Sequence, residues 1–271
     1  MNVHAGDRTL RLDNVTCVFD GGYVAVKDAS LTVNDGEFIC IVGPTGCGKS
    51  TLLNVAAGLL EPSRGNVSVF GQELTGMNKR AGYMFQAESL MPWRTALDNV
   101  ALGLEIRGVP VDKAREQSKF WLEKVGLAAH KHKYPHQLSG GMRKRASLAQ
   151  MLILNPEIIL MDEPFGALDV QTRQLMENEL LRLWSEDRKI VLFITHDLEE
   201  AIALADRVIV MSAGPAARPI GNFSIDLPRP RDVAEVRLTP EFLKAHSAIW
   251  DVMREEVLKS YKQFEGASHD A

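Results

Sequence analysis

Cysteine is scarce: of 271 residues three are Cys, at positions 17, 40 and 47. The spacing of Cys17, Cys40 and Cys47 matches no zinc pattern, and the odd count suits a reducing compartment. Long apolar runs are also missing. None approaches the ~20 residues needed to cross a bilayer, and Met1 to Asp13 carries no apolar stretch of signal-peptide length. Any membrane role is therefore expected from the cytoplasmic side and through a partner. Nor is there an excess of positive charge: 31 Lys and Arg stand against 35 Asp and Glu, a net charge of −4. That excludes holding nucleic acid mainly through bulk positive charge. Repeats and low-complexity tracts are absent. What remains is an ordinary globular balance, 45% hydrophobic and 24% charged, long enough for one large or two small domains.

The stretch Gly43-Pro44-Thr45-Gly46-Cys47-Gly48-Lys49-Ser50 fits G-x-x-x-x-G-K-[ST], a phosphate-binding loop. Apolar Phe38–Val42 before it reads as a buried strand, and the segment from Thr51 to Ala57 reads as a helix. Glycines let the backbone turn its N–H groups inward, and the helix points its positive end at the same place. Lys49 adds a full charge near the outer phosphates, Ser50 supplies a hydroxyl for Mg²⁺, and Thr51 joins the nucleotide-binding candidates. The bland alternative, a chance glycine turn, leaves the flanking strand and helix unexplained.

Val15, Cys17 and Phe19 alternate with polar residues as in a half-buried strand, Asp20-Gly21-Gly22 marks a turn, and Leu31-Thr32-Val33 reads as another strand. Further strands are expected at Val67–Phe70 and Gly82–Phe85. Helices are then predicted at Ala96–Ile106, Lys113–Val125 and Met142–Leu154, an all-helical block inside an α/β pattern. Strands at Ile158–Met161, Ile190–Ile194 and Val208–Met211 alternate with helices at Gln171–Trp184 and Leu198–Ala205, which implies a mostly parallel sheet. Pro228–Asp232 reads as an extended linker, Pro240–Phe264 as an amphipathic helix packed on the same domain, and Gly266–Ala271 as a disordered end.

Two further constellations carry chemistry. Ile158-Ile159-Leu160-Met161 runs into Asp162-Glu163, so a buried strand delivers a carboxylate to the sheet edge beside the phosphate loop. There Asp162 is placed to hold Mg²⁺, and Glu163, pointing elsewhere by strand alternation, to polarise an attacking water. The structural alternative is an exposed acidic strand end. Leu138-Ser139-Gly140-Gly141-Met142 opens a helix with small residues, exposed N–H groups and a hydroxyl, a second anion site. One nucleotide needs one such loop, so the second suggests another chain's nucleotide; a flexible turn is the plain alternative.

With these pieces the chain resembles the ATP-binding subunit of ABC transporters, over nearly all of residues 10–230 and with the motifs in the family's order. The resemblance implies an α/β fold: a P-loop NTPase core with a mostly parallel sheet, an antiparallel β-subdomain and an inserted helical subdomain at about 87–155. Residues 231–271 become a C-terminal helical extension and tail. It implies ATP and Mg²⁺, and roles by motif. Gln86 matches the Q-loop glutamine that contacts metal and water, Asp162 and Glu163 the Walker B aspartate and catalytic glutamate, and Asp169 the D-loop aspartate. His196 matches the H-loop histidine on the γ-phosphate, and Ser139, Gly140 and Gly141 the signature motif that meets the partner's nucleotide. Phe19 is the aromatic expected on adenine, with Tyr23 as the alternative. Lys49 and Mg²⁺ are expected to neutralise developing charge. Met142 stands where Gln is commoner and Gly166 where Ser is commoner, which puts the strength of the trans contacts in question.

The implied partners are a second copy in a homodimer, two transmembrane permease subunits and, indirectly, a substrate-binding protein, at the cytoplasmic face of the inner or plasma membrane; no nucleic acid is expected. Ser89–Arg94 is the candidate docking surface, against a core reading of its apolar members. Leu90–Thr95, Asp162–Asp169 and Leu227–Asp232 resemble the nitrate, sulfonate and taurine importer group. The rivals are a soluble ABC ATPase that moves no solute, an exporter subunit, and an unrelated P-loop kinase, which would leave Leu138–Met142 and His196 unexplained. Three lesser features admit two readings each. His130, His132 and His136 form a solvated loop, with a metal site as the alternative. Arg143-Lys144-Arg145 is a solvated helix face, with nucleic-acid contact as the alternative. Cys47, beside Lys49, is either a reactive thiol or a space-filling side chain.

Overall fold

The computed structural model describes residues 8–87 and 89–269, with side chains of the last helix described to Lys262. The first half of the chain gives strands β1 (Leu10–Val18), β2 (Val24–Val33) and β3 (Phe38–Val42), helix α1 (Lys49–Ala56), and strands β4 (Arg64–Val69), β5 (Gln72–Glu73) and β6 (Ala81–Met84). Helices α2 (Ala96–Ile106), α3 (Val111–Lys124) and α4 (Gly140–Leu152) come next without an intervening strand. The chain then alternates: β7 (Ile158–Asp162), α5 (Val170–Glu186), β8 (Ile190–Ile194), α6 (Leu198–Leu204), β9 (Arg207–Met211) and β10 (Pro219–Ser224). Helices α7 (Val233–Val236) and α8 (Pro240–His269) end it.

The strands form two sheets. Four make an antiparallel sheet in the order β2-β1-β4-β5, and six make the order β10-β9-β3-β8-β7-β6. In the larger sheet every neighbouring pair is parallel except β10 against β9. Strands β3, β7, β8 and β9 are apolar on both faces because both are covered, whereas edge strand β10 has no buried position. Side chains of β3 alternate between two cores: Ile39 and Ile41 join the antiparallel sheet and α1, while Phe38, Cys40 and Val42 join the helices on the other side. The inserted helices cohere through Val100, Leu104, Ala114 and Leu122, all within the second core. Among the described residues, no helix is long and apolar enough to cross a membrane.

The structure departs from expectation mainly in polar, proline-bearing stretches. β1 stops at Val18, so Phe19 lies outside it. β5, β10 and α7 carry no sequence pattern that predicts them. Pro228–Asp232 is pinned rather than free. Arg229 binds Asp206 Oδ1 at 2.7–2.9 Å and stacks its guanidinium 4.4 Å from the Trp184 ring centre. Arg231 donates to Ala205 O at 2.7 Å and Leu227 O at 3.0 Å. Burial, with the neighbouring Arg229 charge, lowers the Arg231 pKa to about 10. The final helix continues to His269 where disorder was expected from Gly266; Asp270 and Ala271 lie outside the described residues.

Candidate functional site

The carboxyl ends of β3, β6, β7 and β8 come to one edge of the parallel sheet, the usual crevice of an α/β fold. After β3 the chain enters the glycine loop. Gly46 and Gly48 adopt φ of 78° and 85°, and a Cβ on Gly48 would lie 2.6 Å from the Val26 methyl, so the turn admits no side chain there. Lys49 opens α1 and folds back, buried, to donate to Gly43 O at 2.9 Å and Pro44 O at 3.0 Å. Its charge thus reaches the rim of the loop. Ser50 Oγ donates to Asp162 Oδ1 at 3.1 Å, which brings the first turn of α1 against the end of β7.

Glu163 comes directly after β7 with φ of 42°, a left-handed turn rather than a continued strand. That turn, not strand alternation, separates it from Asp162. Its N–H donates to Ile194 O at 2.9 Å, locking the end of β7 to the end of β8. Its Oε2 accepts from Gln86 Nε2 at 3.3 Å and from His196 Nδ1 at 3.0 Å. Three residues from three strand ends therefore meet on one carboxylate. Burial raises the Asp162 pKa; the Ser50 hydrogen bond opposes this and the Glu163 charge adds to it. A cation beside these oxygens would relieve that penalty. Ser50, Asp162 and Gln86 offer only hard oxygen and amide donors, the set Mg²⁺ takes. A cleft of ≈530 Å³ opens over Gly48, Lys49, Glu163 and His196, with Phe19 and Tyr23 on its wall. Both rings are exposed, and the geometry leaves the choice between them open.

Ser139, Gly140, Gly141 and Asp169 do not line this cleft. Ser139 caps α4, accepting from Met142 N–H at 3.3 Å, and Asp169 caps α5, accepting from Thr172 N–H at 3.0 Å. That hydrogen bond holds the Asp169 carboxyl below the usual carboxylate range. The two caps are neighbours: a Cβ on Gly141 would lie 2.5 Å from Thr172 Cγ2. Ser139 and Asp169 are both exposed, so the pair forms a second polar edge, away from the chain's own cleft.

Two positioning side chains escape sequence reasoning. Arg173 Nη1 binds Asp197 Oδ2 at 3.1 Å while its Nη2 donates to Leu168 O at 3.2 Å. Asp197 in turn caps α6 through Glu199 N–H at 2.9 Å. Lys144, buried, donates to Gln86 O at 2.8 Å. The expected solvated face is thus a set of tethers, since Arg143 also donates to Leu138 O at 2.7 Å. The reactive reading of Cys47 fails as well. Its side chain is fully buried, and that burial raises the thiol pKa against the opposing Lys49 charge. Among the described residues no three His, Cys, Asp or Glu cluster as metal ligands, and His136 instead stacks on Tyr134 at 5.9 Å. In the Ser89–Arg94 stretch, Leu90 is core but Trp93 is 71% exposed.

A profile of the ABC transporter family matches residues 26–166. The chain is 45% identical to an uncharacterized ABC transporter ATP-binding protein, MJ0412, of Methanocaldococcus jannaschii, across 93% of this chain and 94% of that protein. It is 42% identical to the nitrate import ATP-binding protein NrtD of Synechococcus elongatus, across 86% of each. Among solved structures, the ATP-binding cassette MJ0796, in a dimeric post-hydrolysis state bound to ADP and Pi, superposes with a TM-score of 0.71 at 31% identity; the match covers 81% of this chain and 100% of that one.

Proposed function

The chain belongs to the ABC transporter family as the ATP-hydrolysing subunit of an importer, and we propose that its cargo is a small organic or inorganic anion such as nitrate, a sulfonate or taurine. One observation supports the mechanism above all. Glu163 is held between Gln86 and His196 at a phosphate-loop cleft that the Ser139–Gly141 edge does not reach. The chain presents half a site twice, so two copies facing head to tail would complete two sites.

In this reading the ATP phosphates lie on the Gly43–Thr51 loop, and Phe19 stacks on adenine. Ser139, Gly140 and Gly141 of a second copy close over the γ-phosphate, with Asp169 beside them. Ser50, Asp162 and Gln86 would hold Mg²⁺, which when bound offsets charge on the phosphate oxygens. Glu163 orients the attacking water and takes its proton, and His196 holds Glu163 and the γ-phosphate in register. Lys49, already at the loop rim, exchanges its carbonyl partners for phosphate oxygens. Nucleotide contacts made only in the closed pair would drive closure. Residues 10–230 serve as the ATPase unit, with the helical insertion at about 87–155 and a C-terminal extension at 231–271. The exposed Trp93 face passes closure to two membrane permease subunits at the cytoplasmic face, and a substrate-binding protein delivers the anion to them. Similarity to a nitrate import protein supports the anion class.

The test is Glu163→Gln. It keeps the shape and the hydrogen-bonding reach of the side chain but removes its basicity. Mg-ATP binding should persist, a nucleotide-bound dimer should accumulate, and turnover should fall by ~10²–10⁴-fold. Near-native turnover would remove Glu163 from this role.

A further inference from the structure

Helix α8 carries large apolar side chains on two faces. One is core: Phe242, Ile249 and Met253 are buried against the body of the chain. The other is open. Leu243, Trp250, Leu258 and Tyr261 are 60%, 40%, 54% and 66% exposed. At 3.6 residues per turn these four fall within an arc of about 80° that also holds the exposed Ser247 and Arg254, so the seam sets large apolar side chains around one cation. The helix that carries it is anchored. Glu256, buried, accepts from Ala213 N–H at 2.8 Å just beyond β9, and α8 packs on α6, β9 and β10.

The seam's position says what covers it. Its end meets the nucleotide site: Met253, Val257 and Tyr261 enclose a cavity of ≈320 Å³ with Gly43, Pro44 and His196. The seam therefore runs up to the mouth that a second copy must close if the site is shared. It lies at the β10 side of the six-stranded sheet, whereas Trp93 and the helical insertion come after β6, the strand at the opposite edge. Five strand spacings separate the two edges, ~24 Å, so the seam and the Trp93 loop belong to opposite edges of the sheet. Trp, Tyr and Arg, all present on this face as Trp250, Tyr261 and Arg254, are the residue types that most often anchor protein interfaces.

We infer that the Leu243–Tyr261 seam of α8 is a contact surface for a second copy of this chain, engaged as the ATP-bound pair closes. The inference rests on the two-copy reading of the site. The mouth-side residues then have two uses: the glycine loop takes the partner's Ser139–Gly141 edge, and α8 takes apolar surface beside it.

The experiment uses the full chain in the Glu163→Gln background with Mg-ATP, and sedimentation to obtain the dimer dissociation constant. Trp250→Ser and Leu258→Asp are introduced singly; both positions are exposed, and thermal unfolding checks that each variant folds. Each should weaken the dimer by roughly 10–100-fold, while binding of a fluorescent ATP analogue to the monomer stays unchanged. Dimer affinity equal to the parent overturns the seam and spares the two-copy reading. Tighter dimers would make α8 a barrier to closure and also overturn it. A parent that stays monomeric with Mg-ATP sinks the two-copy reading, and the seam's occupant with it.

Discussion

Gly140 and Gly141 open the same helix, yet their surroundings differ, and the difference separates a folding role from a catalytic one. A Cβ on Gly140 would meet nothing nearer than 3.9 Å, an ordinary contact. Ala there replaces a conformationally free residue in the first turn of α4, so Gly140→Ala should stabilise by up to ~1 kcal/mol. A Cβ on Gly141 would sit 2.5 Å from Thr172 Cγ2. Thr is β-branched and stiff, so the methyl cannot swing aside freely, and overpacking of this kind costs ~1–3 kcal/mol. Less the gain in helix propensity, Gly141→Ala should lose up to about 2 kcal/mol, a Tm lower by up to roughly 8 °C, where Gly140→Ala loses nothing. Thr172→Ser removes the offending methyl while retaining the hydroxyl and the N–H that bonds Asp169, so the double variant should regain most of that loss.

Activity obeys a different rule. If the start of α4 closes on a partner's nucleotide, both Ala variants place a methyl where the phosphates approach. Steady-state ATPase should then fall at least tenfold for Gly140→Ala, despite unchanged or higher Tm, and Thr172→Ser should restore the stability of Gly141→Ala without restoring its turnover. Circular dichroism melts and a phosphate-release assay read the two quantities apart. Wild-type turnover in Gly140→Ala would refute the trans contact. A Gly141→Ala melt that Thr172→Ser leaves unmoved would refute the packing argument.

Asn99 is fully buried, accepts from Met91 N–H at 2.7 Å and places its amide nitrogen 3.0–3.1 Å from the carbonyls of Met91, Arg94 and Thr95. Asn99→Ala strands those groups, so it should cost ~2–4 kcal/mol and speed hydrogen exchange at the Met91 amide; exchange as slow as in the native chain would contradict the stapling of the Trp93 loop. Burial first, then the Glu177 and Asp197 charges, push the Glu200 carboxyl up to about 8, with the Thr195 hydrogen bond opposing. The folded chain then holds a proton that the unfolded chain releases, so stability should fall as pH rises from about 5 to 8. Glu200→Gln should flatten that slope in thermal melts, and equal slopes would show that Glu200 is not the titrating group. The raised Cys47 pKa leaves little thiolate at neutral pH, so maleimide should modify it about tenfold or more slowly in the native chain than in guanidinium; equal rates by mass spectrometry would restore the reactive reading.

The proposed half-site on this chain is legible because its main parts sit just past strands that announce themselves. Phe38–Val42, Ile158–Met161 and Ile190–Ile194 are uninterrupted apolar runs, and parallel strands buried on both faces have no other pattern available. The residues just past these runs are Gly43, then Asp162 with Glu163, then His196, and all are thereby delivered to one edge. Sequence fails where distance in the chain hides closeness in space. Arg173 and Asp197 are paired across a helix and a strand, and Lys144 reaches a carbonyl on another element. No local periodicity marks either. Cys47 fails for a related reason. Its nearness to Lys49 can be read from the sequence, but the burial that outweighs Lys49 cannot. β10 and the Arg229–Arg231 strap are hidden because prolines and glycines there look like a loop, while guanidinium bonds to backbone carbonyls fix them in place.

These long-range contacts also bear on how the two halves of the site communicate. Gln86 is the residue both halves share: its amide donates to Glu163, and its carbonyl accepts from Lys144 on the helix that begins with Gly140. Two hydrogen bonds thus separate the edge that would meet a partner's nucleotide from the carboxylate beside the chain's own cleft. Arg173 makes a parallel link, from the carbonyl before Asp169 to the residue after His196. The first link ends on Glu163 and the second on Asp197, the residue next to His196. A rigid displacement of the helical insertion cannot leave Gln86 and Glu163 in register unless Lys144 lets go, because the tether is buried and charge-assisted, the kind most costly to break. Docking near Trp93 and closure over nucleotide would therefore act on the same carboxylate through side chains, without any need to deform the parallel sheet that carries it.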